Sequence, residues 1–339
     1  MSEQFVAERR ASRGGPRKTG GLLTLRALGG HDAEALRTSW RGERQDFIEA
    51  QQRMLDRYGV AARSRFVDVP SIAGRAHVLV SGEGPAVVMV NGLGTPGAMW
   101  APLMAELGGF ELFAVDLPGY GLTDTTSRIA DDLRSSAVRF FDEVLDGLAL
   151  DRPAFVASSL GSLWTSWLAL DRPRRVLALV HLGCPALALD TSAPLPMRVL
   201  SVRPLGWLLT WLQPPSPRQV EQLAKMVKEH PLIPELVALL VATERLPGFR
   251  QTFLSTLHAL VSLRGSRSEL RLTAEQLERI DQPTLLFWGA EDPFGSPEVG
   301  KRIVATMPAA ELRVVAGGHA PWLTQAHRIG PDAKRFLHQ

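Results

Sequence analysis

The sequence of 339 residues holds a single cysteine, Cys184, so no intrachain disulfide can form. One cysteine fits a reducing compartment, and the protein is expected to be cytoplasmic. No run of 18 or more apolar residues occurs, which excludes a transmembrane helix. A secretory leader is also missing. Arg9-Arg10 is followed by Ala, Ser, Arg and Gly, and the stretch Gly21–Leu28 is too short and interrupted for an apolar leader core. There is no internal repeat. The net charge is only +3, and it sits at one end. Residues 1–30 carry six Arg/Lys and two Glu, and the remainder is close to neutral. A nucleic-acid binder would show a basic face across its fold, so nucleic acid is not an expected partner. What is present, 45% apolar and 22% charged residues, is ordinary for a globular protein with a sizeable core.

Along the chain, residues 1–30 read as a disordered basic arm, solvated or in weak contact with anionic surfaces. Residues 31–62 read as a helical extension, with an amphipathic helix over 43–58 marked by Phe47, Met54, Leu55 and Tyr58. Two alternating segments, RSRFVDV and GRAHVLVSG, predict an antiparallel strand pair with a turn near Ser71–Gly74. A strand–loop–helix rhythm follows. AVVMV, FELFAVD, AFVAS, VLALVHL, TLLFWG and ELRVVAG are apolar on both faces, as strands of a parallel sheet covered by helices on both sides should be. Residues 63–186 and 281–339 are therefore assigned to one α/β core. Residues 187–280 lack strand pattern, show helical periodicity broken by prolines, and read as a helical cap.

Val156-Ala157-Ser158-Ser159-Leu160-Gly161-Ser162 joins a strand directly to a helix. A nucleophile on so sharp a turn needs small residues two before and two after it, because the backbone is crowded there. Ser159 has Ala157 and Gly161 at those places; Ser158 and Ser162 do not. The alternative for Ser159 is a plain helix N-cap. A serine hydroxyl needs a general base, and His319 in AGGHAPW lies just past a strand, with two glycines to permit a tight loop. His181 is the rival, but it lies inside a strand. The other histidines, His77 among them, have no comparable setting. An orienting carboxylate is expected from Asp292 in GAEDP, after TLLFW, in preference to Glu291. The order Ser, Asp, His matches this arrangement. Oxyanion donors are expected from the backbone N–H of Leu160 and from the loop Asn91-Gly92-Leu93-Gly94, Leu93 foremost. That loop lacks the glycine spacing of a dinucleotide fingerprint.

The succession NGLG, VDLPGYGLTD, ASSLGS, WGAEDPFG and GGHAPW, over about residues 63–339, resembles the α/β-hydrolase superfamily. It is most similar to the capped esterase, haloalkane dehalogenase and epoxide hydrolase branch. The resemblance implies an α/β-hydrolase fold: a mostly parallel eight-stranded sheet, helices on both faces and a helical cap after the sixth strand. It implies catalysis without cofactor or metal, and oxyanion donors at Leu93 and Leu160. Two positions depart from the pattern: Asn91 stands where the family usually has His, and Ala157 replaces the first elbow glycine. A serine in place of the dehalogenase and epoxide hydrolase aspartate points to ester, thioester, lactone, amide or carbon–carbon bond cleavage of a small-molecule substrate.

In the cap, Trp207 and Trp211 at helical spacing either pack the cap on the core or line an apolar pocket. Trp322, beside the His319 loop, is a third pocket candidate. Arg198 and Arg203 are available to a carboxylate, and Cys184 is expected to be a packed residue. The leading expectation is a carboxylic-ester hydrolase. The alternatives are a carbon–carbon bond hydrolase, peptidase or perhydrolase on the same triad, or a non-catalytic ligand-binding member of the fold.

Overall fold

The computed structural model describes residues 30–125 and 129–339. The arm expected over residues 1–30 lies, up to residue 29, outside the described residues. The chain divides into two units, residues 1–39 and residues 40–339. In the first, the described part is the helical backbone that opens α1 (Gly30–Arg57). The helix starts well before the expected residue 43. Its first turns, GHDAEALRTSWRG, lack the apolar stripe on which periodicity depends.

The second unit is built on an eight-stranded sheet. β1 (Ala62–Val69) and β2 (Gly74–Ser81) form the expected antiparallel pair, joined by a short 3-10 turn. β3 (Ala86–Val90) leads through a loop and 3-10 turn to α2 (Ala101–Met104) and β4 (Glu111–Val115). Next come α3 (Leu133–Leu148), β5 (Ala154–Ser158), α4 (Leu160–Asp171) and β6 (Leu179–Leu182). An insertion follows: α5 (Leu195–Leu200), α6 (Arg203–Leu212), α7 (Pro217–Met226), α8 (Pro234–Arg245) and α9 (Phe249–Leu260). It closes with a hairpin, β7 (Val261–Ser262) and β8 (Gly265–Ser266), and α10 (Ala274–Leu277). β9 (Thr284–Gly289), α11 (Pro297–Thr306), β10 (Ala310–Val315) and α12 (Trp322–Leu337) complete the chain. The strand order is β1-β2-β4-β3-β5-β6-β9-β10, antiparallel at β1/β2 and β2/β4 and parallel elsewhere.

β3 shows why its residues are apolar throughout. Val88 and Val90 enter one core with Phe140 and Phe141 of α3 and Trp164 and Trp167 of α4. Val87 and Met89 enter the other with Phe47, Met54, Trp100 and Trp322. Each large side chain so buried contributes about 1.5–3 kcal/mol, and both faces demand it. α3 has its boundaries written in the sequence. The Asp132 carboxylate accepts the Ser135 N–H at its start, and Ala149 ends it in the left-handed region at φ 60°.

The prolines that interrupt the insertion turn out to open its helices: Pro196, Pro204, Pro217 and Pro234 each stand at the first or second position of one. The hairpin β7–β8 breaks the expectation that no strand lies between 187 and 280. Two residues per strand cannot display an alternation. Among the described residues, no helix is long and apolar enough to cross a membrane.

Candidate active site

β5 passes into α4 through Ser159, whose φ of 51° and ψ of −113° are strained for any residue with a Cβ. Ser159 stands at the N-cap position, yet its side chain accepts no helix N–H, so capping does not explain it. Gly161 is required by space: a Cβ there would overlap the Val90 carbonyl and lie 2.7 Å from the Asn91 carbonyl oxygen. Across the turn, a Cβ on Gly92 would lie 3.1 Å from Ser159 Cβ and 3.6 Å from its Oγ, so the loop after β3 backs closely onto the serine. Asn91 closes that loop by donating from Nδ2 to the Pro96 carbonyl at 2.6 Å. This is the role of the residue that departs from the usual histidine. Leu93 and Leu160 both border the cavity that reaches Ser159.

Asp292 follows β9 and is buried; Glu291 beside it is exposed. The Asp292 carboxylate accepts the Cys184 N–H at 2.8 Å and the Phe294 N–H at 2.9 Å. Its oxygens lie 3.0 and 2.9 Å from His319 Nδ1. Those bonds fix the buried carboxylate in place. They also leave His319 its other nitrogen, Nε2, which is buried and has no hydrogen-bond partner among the described residues. Phe294 stacks on the imidazole with ring centroids 4.0 Å apart. The glycines before His319 are needed as expected: Gly317 has φ 111°, and a Cβ on Gly318 would overlap the Val227 carbonyl.

Glu229, between α7 and α8, has no place in the sequence reading. It is buried, and one oxygen, Oε1, accepts the N–H groups of Gly318 at 2.8 Å and Ala320 at 2.9 Å. Those groups flank His319, whose own N–H donates to the Val227 carbonyl at 3.0 Å. Burial pushes the Glu229 carboxyl up to about 7, against the opposing pull of the two N–H groups and of His319. Set between Lys228 and His230 after a polar helix, Glu229 carries no signal in the sequence.

Another serine, histidine and aspartate form a hydrogen-bonded trio elsewhere. His77 Nδ1 lies 2.7 Å from Asp116 Oδ2 and its Nε2 2.8 Å from Ser64 Oγ. Here the imidazole is fully buried within β2. Asp116 also takes the N–H groups of Gly97 at 2.6 Å and Leu122 at 3.0 Å. This trio fastens loops and offers no accessible base. His181 is likewise a core residue, with burial pulling its imidazole down to about 3. Cys184 is buried, and burial beside Asp292 pushes its thiol up, so it stays protonated and packs.

The expected tryptophan pocket is corrected. Trp207 and Trp211 are 49% and 69% exposed on α6 and border neither the core nor the cavity at Ser159. Trp322 is buried against Trp100, with centroids 4.4 Å apart, and donates to the Met99 carbonyl at 3.2 Å. Helical spacing places two residues on one face without saying where that face looks. The cavity is instead bounded by Leu93, Leu160, Leu187, Met197, Leu257 and Phe294, and among the described residues no charged side chain lines it. Arg198 donates to the Leu263 carbonyl, and Arg203 is exposed.

A profile of the alpha/beta hydrolase fold matches residues 85–326, most of the chain and every element of the site. The chain belongs to the alpha/beta hydrolase fold family. A Pseudomonas relative, a 2-hydroxy-6-oxononadienedioate/2-hydroxy-6-oxononatrienedioate hydrolase, is 26% identical over 77% of this chain and 92% of its own. A 2-hydroxy-6-oxo-6-phenylhexa-2,4-dienoate hydrolase from Burkholderia cepacia is 25% identical over 73% of this chain and 86% of its own. Among solved structures, carboxylesterase CesB from Bacillus subtilis superposes with a TM-score of 0.70 at 20% identity, over 87% of this chain and 98% of that one. Hydrolysis is the activity class that these two curated relatives share. Ester and carbon–carbon cleavage are both represented among the similar proteins.

Proposed function

We propose that the protein is a serine hydrolase cleaving carboxylic esters with an uncharged, apolar acyl group. Ser159 is the nucleophile, His319 the general base and Asp292 the residue that orients the imidazole. The observation that carries this reading is the buried Asp292–His319 pair, which leaves Nε2 unpartnered and follows β9 and β10 of the same parallel sheet in which β5 leads into the strained Ser159 turn. His319 takes the Ser159 proton as Oγ bonds to the ester carbon. The oxyanion is held by the N–H of Leu160 at the head of α4 and that of Leu93, an arrangement worth about 3–4 kcal/mol per donor. The imidazolium returns its proton to the departing alcohol. Water, deprotonated by the same imidazole, then releases the acid.

The cavity lining favours esters over the substrates named for the relatives. A dienoate or dienedioate carries one or two carboxylates, and an anion taken into a site without a cationic side chain pays a desolvation cost of several kcal/mol. The second reading is carbon–carbon hydrolysis. It is favoured by the curated relatives, since a 2-hydroxy-6-oxo-dienoate has no ester bond and its hydrolysis breaks one between carbons. The test is kcat/KM for p-nitrophenyl butyrate and octanoate beside 2-hydroxy-6-oxo-6-phenylhexa-2,4-dienoate. An ester advantage of about 100-fold or more is expected, the equivalent of about 2.7 kcal/mol. A dienoate advantage would replace the ester reading with the second one. Silence on both, with a Ser159 that resists a fluorophosphonate, would leave the protein a non-catalytic binder.

A further inference from the structure

The insertion carries an exposed apolar face that the site does not use. On α6, Leu205, Trp207, Leu208, Trp211 and Leu212 are 37–69% exposed. At about 100° per residue they span a continuous arc of roughly 160°. The opposite side is held down at Gly206, where a Cβ would overlap the Leu200 carbonyl and lie 3.1 Å from Leu254 of α9. The face extends to exposed Leu195 on α5 and Leu263 in the β7–β8 turn, which Arg198 ties together by donating to the Leu263 carbonyl. Apolar side chains this large and contiguous on a protein surface mark a place of contact.

The charge around the face says with what. Residues 191–220 hold three arginines and no Asp or Glu; residues 245–268 hold four and again none. The rest of the chain from residue 31 has 25 Lys/Arg against 33 Asp/Glu. Among the described residues, none of the seven arginines pairs with a carboxylate. Arg250 lies 5.9 Å over the Trp207 ring, and exposed Arg264 follows Leu263. A Trp- and Leu-rich helical face carried on arginine-bearing segments that hold no carboxylate is what an anionic bilayer surface binds. A second copy of the chain would oppose arginine to arginine.

We propose that the α5–α6 face docks the protein on an anionic lipid surface. Trp207, Trp211 and the leucines enter the headgroup boundary, and the arginines meet lipid phosphates. α5 connects this surface to the cavity at Ser159: Met197 lines the cavity from the helix that carries Leu195 outside. The docking stands whether or not Ser159 acts.

The test is co-sedimentation of the full-length protein with vesicles of phosphatidylglycerol and phosphatidylcholine in equal parts, against pure phosphatidylcholine. The basic segment before residue 30 remains in every variant, so its own pull on lipid is constant. Partition should favour the anionic vesicles. The double variant Leu208→Ser/Trp211→Ser should lower partition about tenfold and melt like the parent, since both side chains are exposed. Arg250→Gln and Arg264→Gln should each lower it about fivefold on anionic vesicles alone. Failure to sediment with anionic vesicles, equal sedimentation of the double variant, or indifference to phosphatidylglycerol would overturn the proposal. So would a dimer, seen by light scattering, that dissociates on Trp211→Ser, for it would give the face to a second copy.

Discussion

Around the sheet, several arginines answer carboxylates, though Arg65 and Arg152 reach carbonyls and Arg75 lies over the Phe66 ring. Arg134 makes two bonds to Asp171, at 3.0 and 2.6 Å, and Arg172 and Arg175 reach Asp142 and Asp146 on α3 at 2.9 and 2.8 Å. In the insertion they turn to neutral groups: Arg267 to the His258 carbonyl at 2.8 Å, Arg245 to that of Pro215 at 3.5 Å, Arg250 to an indole. The difference separates two uses of one residue. In the core, charge is neutralised locally and fixes α4 on α3. In the insertion the seven arginines of residues 191–220 and 245–268 pair with no carboxylate among the described residues. The same two regions share the chemistry: the core supplies Ser159, Asp292 and His319, while the insertion supplies the Glu229 bonds to the His319 loop and the cavity wall from Met197 to Leu260.

The comparison is broken most severely from the core side. Ser159→Ala should fold and melt as the parent does and lose ester turnover by about 10⁴-fold or more. Full activity in that variant would remove the serine from the reaction, whereas Ser158→Ala should retain most of it. From the insertion side, Glu229→Ala should lower kcat by about 100-fold through a misplaced imidazole, with KM little changed. Glu229→Gln keeps an acceptor for the two N–H groups and should recover most of the loss. Its acid limb should differ as well. With a carboxyl near 7 beside the base, the negative charge facing the parent's imidazole fades as pH falls through 7, whereas the Gln variant carries no such charge, so the two acid limbs should differ in shape, the variant's following a single-proton curve. Identical profiles would confine Glu229 to a structural role. Leu257→Ala should enlarge the cavity and move preference toward longer p-nitrophenyl esters by about 10-fold. A uniform loss across chain lengths, with a lower melting temperature, would show a packing residue instead.

The smallest effects set the regions against each other in pH. Burial raises Glu229 and Glu244 to about 7, so the folded state keeps their protons where the unfolded chain has released them. Their contribution is fully present below about 4.5 and fades as pH rises through 7. His181 in β6 is depressed to about 3, so its contribution is present above about 6.5 and fades as pH falls toward 3. Each group can change stability by at most about 1.4 kcal/mol per pH unit. Denaturant midpoints between pH 7 and 4 should therefore rise less on acidification in Glu244→Gln and fall less at the acid end in His181→Gln. A variant whose slope matches the parent's would show that its group does not titrate differently in the two states.

Much of this was legible in the sequence because the core has regular demands. AVVMV, AFVAS and TLLFWG coincide with β3, β5 and β9 residue for residue, since a parallel strand buried on both faces permits almost nothing polar. Asp292 and His319 could be placed together because strand ends in such a sheet share one edge. Glu229 could not be found the same way. It acts on backbone N–H groups some ninety residues away, and backbone groups leave no mark on the sequence of their partner. The tryptophans of α6 failed for a related reason: periodicity gives the face, and only tertiary packing gives its direction.

The clasp on the His319 loop limits how such proteins can be recombined. Val227 and Glu229 hold Gly318, His319 and Ala320 through three backbone N–H groups, and the Val227 carbonyl also fills the space in which a Cβ on Gly318 would stand. The insertion is in this way stitched to the loop that bears His319. A chimera grafting a foreign lid onto this barrel-less sheet would have to carry residues 227–229 and 317–320 as one piece, or inherit a histidine with nothing to hold it in line.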